Sequence, residues 1–317
     1  MNFEWIGHHK LLRIVRISGH IVNDEPLRVG AGREKALFEP IDSVVLKTKH
    51  PTTGEEIPLI PGSSLKGLFR ATAVSVARSV GLDVCDGTPG STCLKGDEFY
   101  KLEKTAPNEI EEKVSRIIEG KKEGLGVCLN CLIFGSPSIH SHVSFSDSFV
   151  EGDYSLGYRT CVAIDRRYGA AWKGALYTVE YVEPGAKFNF ELRAENLPNY
   201  ALGLLASIID LINLGVVRVG GMKSKGFGRV HFDGLSVSVY SPIPEYGVRE
   251  GRLNRLDPID SHVMWRGSTG TISTAEGRDA DEVLNGLKAA WNNSLGTLRR
   301  ISDEGWRWSV ALEREKS

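Results

Sequence analysis

Leu59-Ile60-Pro61-Gly62-Ser63-Ser64-Leu65-Lys66-Gly67-Leu68-Phe69-Arg70 reads as a tight loop turning into a helix. Pro61-Gly62 is turn chemistry. Ser63 or Ser64 can accept a hydrogen bond from the first free backbone amides and so cap the helix. Leu65, Leu68, Phe69, Val76 and Val80 fall on one helical face and predict a helix over residues 64–80. Lys66 and Arg70 lie one turn apart and share another face. No acid occurs from Leu59 through Arg78. A helix start with free amides, a favourable dipole and two cations suits an anion, with phosphate the obvious one. The competing reading is an ordinary capped helix with solvated basic residues.

Outward from this stretch, the chain alternates strand and helix signals. Leu11–Val22 alternates as a half-buried strand, and Leu27-Arg28-Val29 suggests a second, shorter one. His142–Val150 begins as an alternating strand whose apolar side lapses at Asp147. Leu176–Tyr181 and Phe188–Leu192 read as strands turned by Pro184-Gly185, and Tyr200–Leu214 as an apolar helix stopped by Gly215. Val230–Tyr240 is a last strand. The order strand, helix, strand, strand, helix, strand predicts an α+β fold with a ferredoxin-like (RRM-like) βαββαβ core and large insertions. On this reading residues 1–240 form one domain. It carries a polar insertion over 81–140, with a helix between Asn108 and Glu119, and a hairpin over 155–178. Residues 241–317 form a C-terminal extension with a helix over 279–293, and Trp306 and Trp308 are expected to pack a terminal segment back onto the body.

The chain has 317 residues, 41% of them hydrophobic, a formal net charge of −1 and a pI near 6.7. It is no polycation, so any nucleic-acid surface is local. No apolar run approaches the roughly 20 residues of a membrane span, and the expected setting is cytoplasmic. Five cysteines are too few and too unevenly placed for a disulfide scaffold.

Four groups carry chemistry. The loop Gly220–Gly228 has four glycines, Lys223 and Lys225, with Arg229 adjoining and no acid from Val216 through Val230. Gly220, Gly221, Gly226 and Gly228 would let backbone amides approach a ligand, and the lysines add charge. A plain glycine-rich hairpin is the alternative. Cys128-Leu129-Asn130-Cys131 is a CxxC; with Cys85 and Cys93 it could complete a tetrahedral structural zinc site, His140 or His142 standing in for one cysteine if needed. Buried free thiols are the bland reading. Arg159–Lys173 mixes Arg166, Arg167, Tyr168 and Trp172, the basic and aromatic chemistry of single-stranded nucleic-acid binding. Asp42, beside the apolar run Val44-Val45-Leu46, is a lone carboxylate that could bind a hydrated divalent cation or help activate a ribose 2′-OH.

Ile41-Asp42-Ser43, the Pro61–Arg70 element, Leu132-Ile133-Phe134-Gly135-Ser136, Phe145-Ser146-Asp147-Ser148 and the Gly220–Gly228 loop come in the order found in the RAMP superfamily. Over residues 11 to about 240 the chain most resembles the backbone subunit of type III (Csm/Cmr-like) CRISPR effector complexes. The resemblance implies copies polymerised along a guide crRNA whose backbone lies near Lys66 and Arg70. It implies a thumb hairpin around Arg159–Lys173 between guide and target RNA, and other effector subunits as partners. It also implies a zinc-binding insertion, and endoribonuclease cleavage of target RNA by Asp42 with a divalent cation such as Mg or Mn. Residues 33–41 depart from the Gly-rich approach usual before that Asp, and the tail is longer than usual. The rivals are a non-catalytic RNA-binding subunit, a guide-processing endoribonuclease, and a zinc-stabilised interaction module without an RNA role.

Overall fold

A computed structural model describes residues 3–30, 43–50, 52–87, 93, 127–136 and 139–302, and for residues 173–175 the backbone only. The predicted helix over 108–119, Asp42, Trp306 and Trp308 lie outside the described residues.

The body is a mixed α+β structure built on an antiparallel sheet. Its strands are β1 (Ile14–Asn23), β2 (Lys47–Lys49), β3 (Glu56–Ile60), β4 (Val143–Phe145), β5 (Ser148–Glu151), β8 (Lys187–Glu195), β9 (Val230–Tyr240) and β13 (Ile272–Glu276). Their order is β13-β9-β1-β8-β5-β3-β2, with β4 also paired to β8. The central strand β1 lies antiparallel to β8 on one side and β9 on the other, Ile17 facing Leu192 and Val237. Strict alternation makes β8 a one-faced strand: Phe188, Phe190, Leu192 and Ala194 are buried and their neighbours are not.

Helices α1 (Gly62–Ser79) and α3 (Asn199–Asn213) pack on one another; α1 also meets β4, and α3 meets β9. The short helix α2 (Leu129–Phe134) lies against α1, and α4 (Arg278–Ile301) covers α3. Gly203 permits that last contact. A Cβ there would stand 2.7 Å from the Leu287 carbonyl carbon and 2.9 Å from Trp291 Cβ. β6 (Leu156–Asp165) and β7 (Ala170–Val182) form a separate hairpin, and β10 (Val248–Arg249), β11 (Arg252–Leu253) and β12 (Val263–Met264) a small sheet.

The strand expected at Leu27-Arg28-Val29 reduces to isolated bridges at Leu27 and Gly30, the strand expected from Leu176 begins at Ala170, and three further elements differ from the sequence expectation. β1 starts at Ile14, because the Leu12 and Arg13 amides donate instead to Asn196 Oδ1 at 2.8 and 3.2 Å. The strand expected over 142–150 is two strands, broken at Ser146-Asp147 where Asp147 turns toward α1. The last helix runs on to Ile301, because Leu298 and Ile301 continue the buried stripe of Leu287 and Trp291.

A polar cluster is closed inside this body. Arg13, fully buried, donates to Asn254 O at 2.7 Å and Asn199 Oδ1 at 2.8 Å. Asp257 accepts from Trp5 Nε1 at 2.7 Å and Tyr200 Oη at 2.9 Å. Asp260 accepts the Asn199 amide at the start of α3 and the Leu256 amide of its own loop, at 2.9 and 3.0 Å. Burial lowers Arg13 to about 10 and, with Asp260 nearby, raises Asp257 to about 7. The cluster ties the N-terminal segment, the start of α3 and the 254–261 loop into one unit.

Candidate nucleic-acid interface and metal centre

The start of α1 is held from outside its own sequence. Neither Ser63 nor Ser64 caps it; the N-cap position is Pro61 and no side chain of the helix closes the turn. The Gly62 amide donates to Asp147 Oδ1 at 2.7 Å, across the break between β4 and β5. Gly62 fits there because a Cβ would stand 2.9 Å from the Phe145 carbonyl carbon and 3.1 Å from that of Ser146. The serines are left exposed, with their hydroxyls free of the capping role.

Facing this helix start is the glycine loop. Val29, Gly30, Ser64, Gly67, Leu68, Ala71, Val219, Gly220, Gly221 and Lys223 line one groove of about 430 Å³. The two elements read separately as phosphate-seeking are therefore opposite walls of one cleft. Burial lowers Lys66, with Arg70's charge acting the same way, and burial lowers Lys223. The glycines, however, serve the chain before they serve a ligand. Gly220 has φ +78° and lies against the Arg28 carbonyl group; Gly228 has φ +86° and lies against Val219. The Gly221 and Gly228 amides donate to Arg28 O at 2.8 Å and Pro26 O at 3.0 Å.

The hairpin β6–β7 is joined to the far end of that loop. Lys225 Nζ lies 2.8 Å from Tyr177 Oη and 5.6 Å from the ring centroid, and this contact raises the lysine. Arg159 lies over the Phe227 ring at 4.6 Å. Arg166, Arg167 and Tyr168 occupy the exposed hairpin tip; Tyr168 is 81% exposed and Trp172 62%, so both faces are open to stacking.

The roles of three residues here escaped the sequence reading. Asp147 is one. Arg28, from the segment after β1, donates to Ser43 Oγ, next to Asp42, and its Nε is buried without a partner among the described residues. Glu180 on β7 is only 2% exposed; it accepts the Val45 amide at 2.9 Å and Lys47 Nζ at 2.8 Å. The Glu180 amide donates to Ser43 O at 2.9 Å. The segment that follows Asp42 is thus pinned to the hairpin's base. The sequence-level trace of Glu180 is a carboxylate inside the apolar run Thr178-Val179-Glu180-Tyr181-Val182, where a buried acid needs partners.

The cysteines converge. The sulfurs of Cys85, Cys93, Cys128 and Cys131 all lie within 4.8 Å of one another, Cys85 and Cys131 at 3.1 Å and Cys85 and Cys128 at 3.6 Å. A tetrahedron of about 2.3 Å zinc–sulfur bonds has edges of about 3.8 Å, so the set can hold a metal ion such as zinc. The Cys85 amide donates to Cys128 Sγ at 3.5 Å and the Cys128 amide to Cys93 Sγ at 3.4 Å, the orienting bonds that thiolate ligands need. Histidine is not required: His142 donates Nδ1–H to Glu195 O at 2.8 Å, stacks on His8 at 4.1 Å, and is lowered to about 4 by burial. Cys161 lies apart in β6. Arg70 points to this centre, with Nη2 3.9 Å from Cys131 Sγ.

A basic cleft and an exposed hairpin carrying arginines and aromatic rings on an antiparallel α+β body suit a nucleic-acid-binding class of protein. The chain belongs to the RAMP superfamily, whose sequence model matches residues 22–231. That membership makes it a CRISPR-associated RNA-binding protein. A comparison with curated proteins finds no match. Among the described residues no helix is long and apolar enough to cross a membrane.

Proposed function

We propose that the protein is a backbone subunit of a type III (Csm/Cmr-like) CRISPR effector, a cytoplasmic ribonucleoprotein. In this reading a ferredoxin-like core over residues 1–240 binds guide crRNA, and residues 241–317 are an extension of it. The strand order β9-β1-β8-β5, with α1 after β1 and α3 after β8, supports that core. The observation that carries the RNA reading is the single cleft walled by the start of α1 and the glycine loop. Ser63, Ser64 and Lys66 contact phosphates from one wall and Lys223 and Lys225 from the other, with Gly220, Gly221, Gly226 and Gly228 shaping the second wall. Arg166, Arg167 and Tyr168 reach the target strand by charge and stacking. Further copies of the chain and other effector subunits complete the assembly, and zinc at the four cysteines is structural.

Asp42 is the proposed catalytic residue of target cleavage. Asp42 takes the proton of the target's 2′-OH, whose oxygen bonds to the neighbouring phosphorus as the P–O5′ bond breaks; the 5′-oxygen leaves and takes a proton from water, and a divalent cation such as Mg or Mn would supply charge stabilisation. Asp42→Ala in the reconstituted complex tests this: target cutting is lost and guide binding kept. Cutting by the variant at the unmodified rate would remove Asp42 from the chemistry, and no cutting by the unmodified complex would leave a non-catalytic RNA-binding subunit. For the cleft, the triple variant Lys66→Ala/Lys223→Ala/Lys225→Ala should lower the salt slope of single-stranded RNA binding by about 2, at about 0.7 per phosphate contact. An unchanged slope would move RNA off this surface.

A further inference from the structure

Lys66 and Arg70 share a helical face in the sequence, and Arg70's charge is felt at Lys66 in the fold. Arg70 turns to the cysteine centre. Its Nη2 is 3.9 Å from Cys131 Sγ, and its Nε is buried with no hydrogen-bond partner among the described residues. Room for the guanidinium comes from Gly87, two residues past Cys85. Gly87 has φ +72°, and a Cβ there would stand 2.6 Å from Arg70 Nε, with the rest of the head closer still. Two turns along α1, Arg78 donates to Val84 O through Nε and Nη2 at 3.2 and 3.0 Å and pairs with Asp86. α1 therefore holds the Cys85 segment with two arginines.

The electrostatics give this contact a purpose. Four thiolates around a divalent zinc carry a net double negative charge. Val84, Val127, Leu129, Leu132 and Ile133, the cysteines' chain neighbours, are all buried. An anionic centre in such surroundings needs N–H donors or a cation beside it. Two backbone amides supply the first, and Arg70 the second. A phosphate ligand would have to compete for a guanidinium whose Nε is already out of solvent.

We propose that Arg70 is a positioning residue of the metal centre, set against Cys131, through which metal occupancy fixes α1 and the cleft beside it. Arg70 is then not a phosphate contact. The inference rests on the reading of the four cysteines as a zinc site. Losing zinc frees one wall of the cleft and weakens RNA binding without deleting any group that touches RNA.

The test uses the full chain and the variants Arg70→Met, Arg70→Lys and Lys66→Ala. Zinc is counted by elemental analysis, its release into a chromogenic chelator is timed, and single-stranded RNA binding is titrated against salt. Arg70→Met should release zinc roughly 10- to 100-fold faster than the unmodified chain, the usual effect of deleting a partner of the ligands. Arg70→Lys keeps the charge without the reach and should fall between; it carries the comparison if the methionine variant does not fold. Lys66→Ala should release zinc at the unmodified rate but lower the salt slope by about 0.7, whereas the Arg70 variants should bind RNA more weakly with the slope intact. Unmodified release from both Arg70 variants, or a slope loss of about 0.7 in them, overturns the proposal while the zinc reading stands. An unmodified chain without stoichiometric zinc overturns both.

Discussion

Replacing Gly62 by Ala separates the helix's own preference from its place in the fold. In an isolated helix the change is favourable by about 1 kcal/mol. Here the new Cβ would stand 2.9 and 3.1 Å from two backbone carbonyl carbons, and within the contact radius of the Phe145 carbonyl oxygen. Those atoms cannot yield as a side-chain tip would. Phe145 is paired with Leu192 of β8, and its ring packs on Phe69 at 4.8 Å. α1 must instead withdraw, which breaks the 2.7 Å bond from the Gly62 amide to Asp147. Loss of that cap costs about 1 kcal/mol, and forcing a methyl into a filled site about 1–3 kcal/mol. The net expectation is destabilisation by about 1–3 kcal/mol once the propensity gain is subtracted. Urea unfolding of Gly62→Ala, Asp147→Ala and the double variant measures it. The double variant should cost about 1 kcal/mol less than the sum, because the cap is lost only once. A Gly62→Ala protein as stable as the unmodified one, or more stable, would refute the reasoning, since that is the sign helix propensity alone predicts.

Gly203→Ala should cost at least about 3 kcal/mol in the same assay, because the methyl must part α3 from α4 at Leu287 and Trp291. Glu180→Ala leaves the Val45 amide and Lys47 without their acceptor and should cost about 3 kcal/mol, with Glu180→Gln milder because one acceptor survives. His142 stays neutral when folded, at about 4 against an ordinary 6.5. The unfolded chain takes up that proton first, so stability from this site is lost as pH falls below about 6.5, by about 2 kcal/mol at about pH 5. Asp257, raised to about 7, acts oppositely: the folded chain takes its proton first, and stability is gained as pH falls below that value. His142→Gln should therefore gain about 2 kcal/mol relative to the unmodified protein between about pH 7 and about pH 5; equal pH profiles in thermal melts would refute the assignment.

Much of the fold was legible because it rests on local periodicity. β8 and α3 bury the apolar residues that their patterns mark, Phe188 to Ala194 in the strand; of the stripe read for α1, Leu65 and Phe69 are buried, whereas Leu68, Val76 and Val80 are half-buried and Thr72, Ala73 and Ala77 face the core instead. The four cysteines were legible as a set because thiolates are scarce and their chemistry narrow, although 43 residues separate Cys85 from Cys128. Asp147, Arg28 and Glu180 were not. Each acts on a partner that only the folded sheet brings near, 85 residues away for Asp147 and Gly62. The extent of α4 was hidden by Asn292, Asn293 and Gly296, weak helix formers that the packing of Trp291 and Leu298 on the body outweighs.

The anion-binding argument that began at Pro61 changes its physical basis when the amides are followed to their acceptors. Gly62 N–H is taken by Asp147, Ser64 and Leu65 N–H by Pro61 O at 2.9 and 3.1 Å, Gly221 by Arg28 O and Gly228 by Pro26 O. Asp147 also brings an acid to a helix start whose own sequence has none. The amides of Gly62, Gly221 and Gly228, on which a phosphate trap at a helix start or glycine loop would draw, are thus already taken. What remains is side-chain chemistry: Ser64 and Lys223 line the groove, and Ser63, Lys66 and Lys225 stand on the same two elements. Flexible ammonium groups are point charges without the forked geometry that reads a base edge. Under the proposed function, a cleft equipped this way would hold a sugar-phosphate backbone and leave the bases to pair elsewhere. Its affinity should then depend steeply on salt and hardly at all on RNA sequence, which competition between homopolymeric and mixed-sequence RNA at fixed salt measures directly.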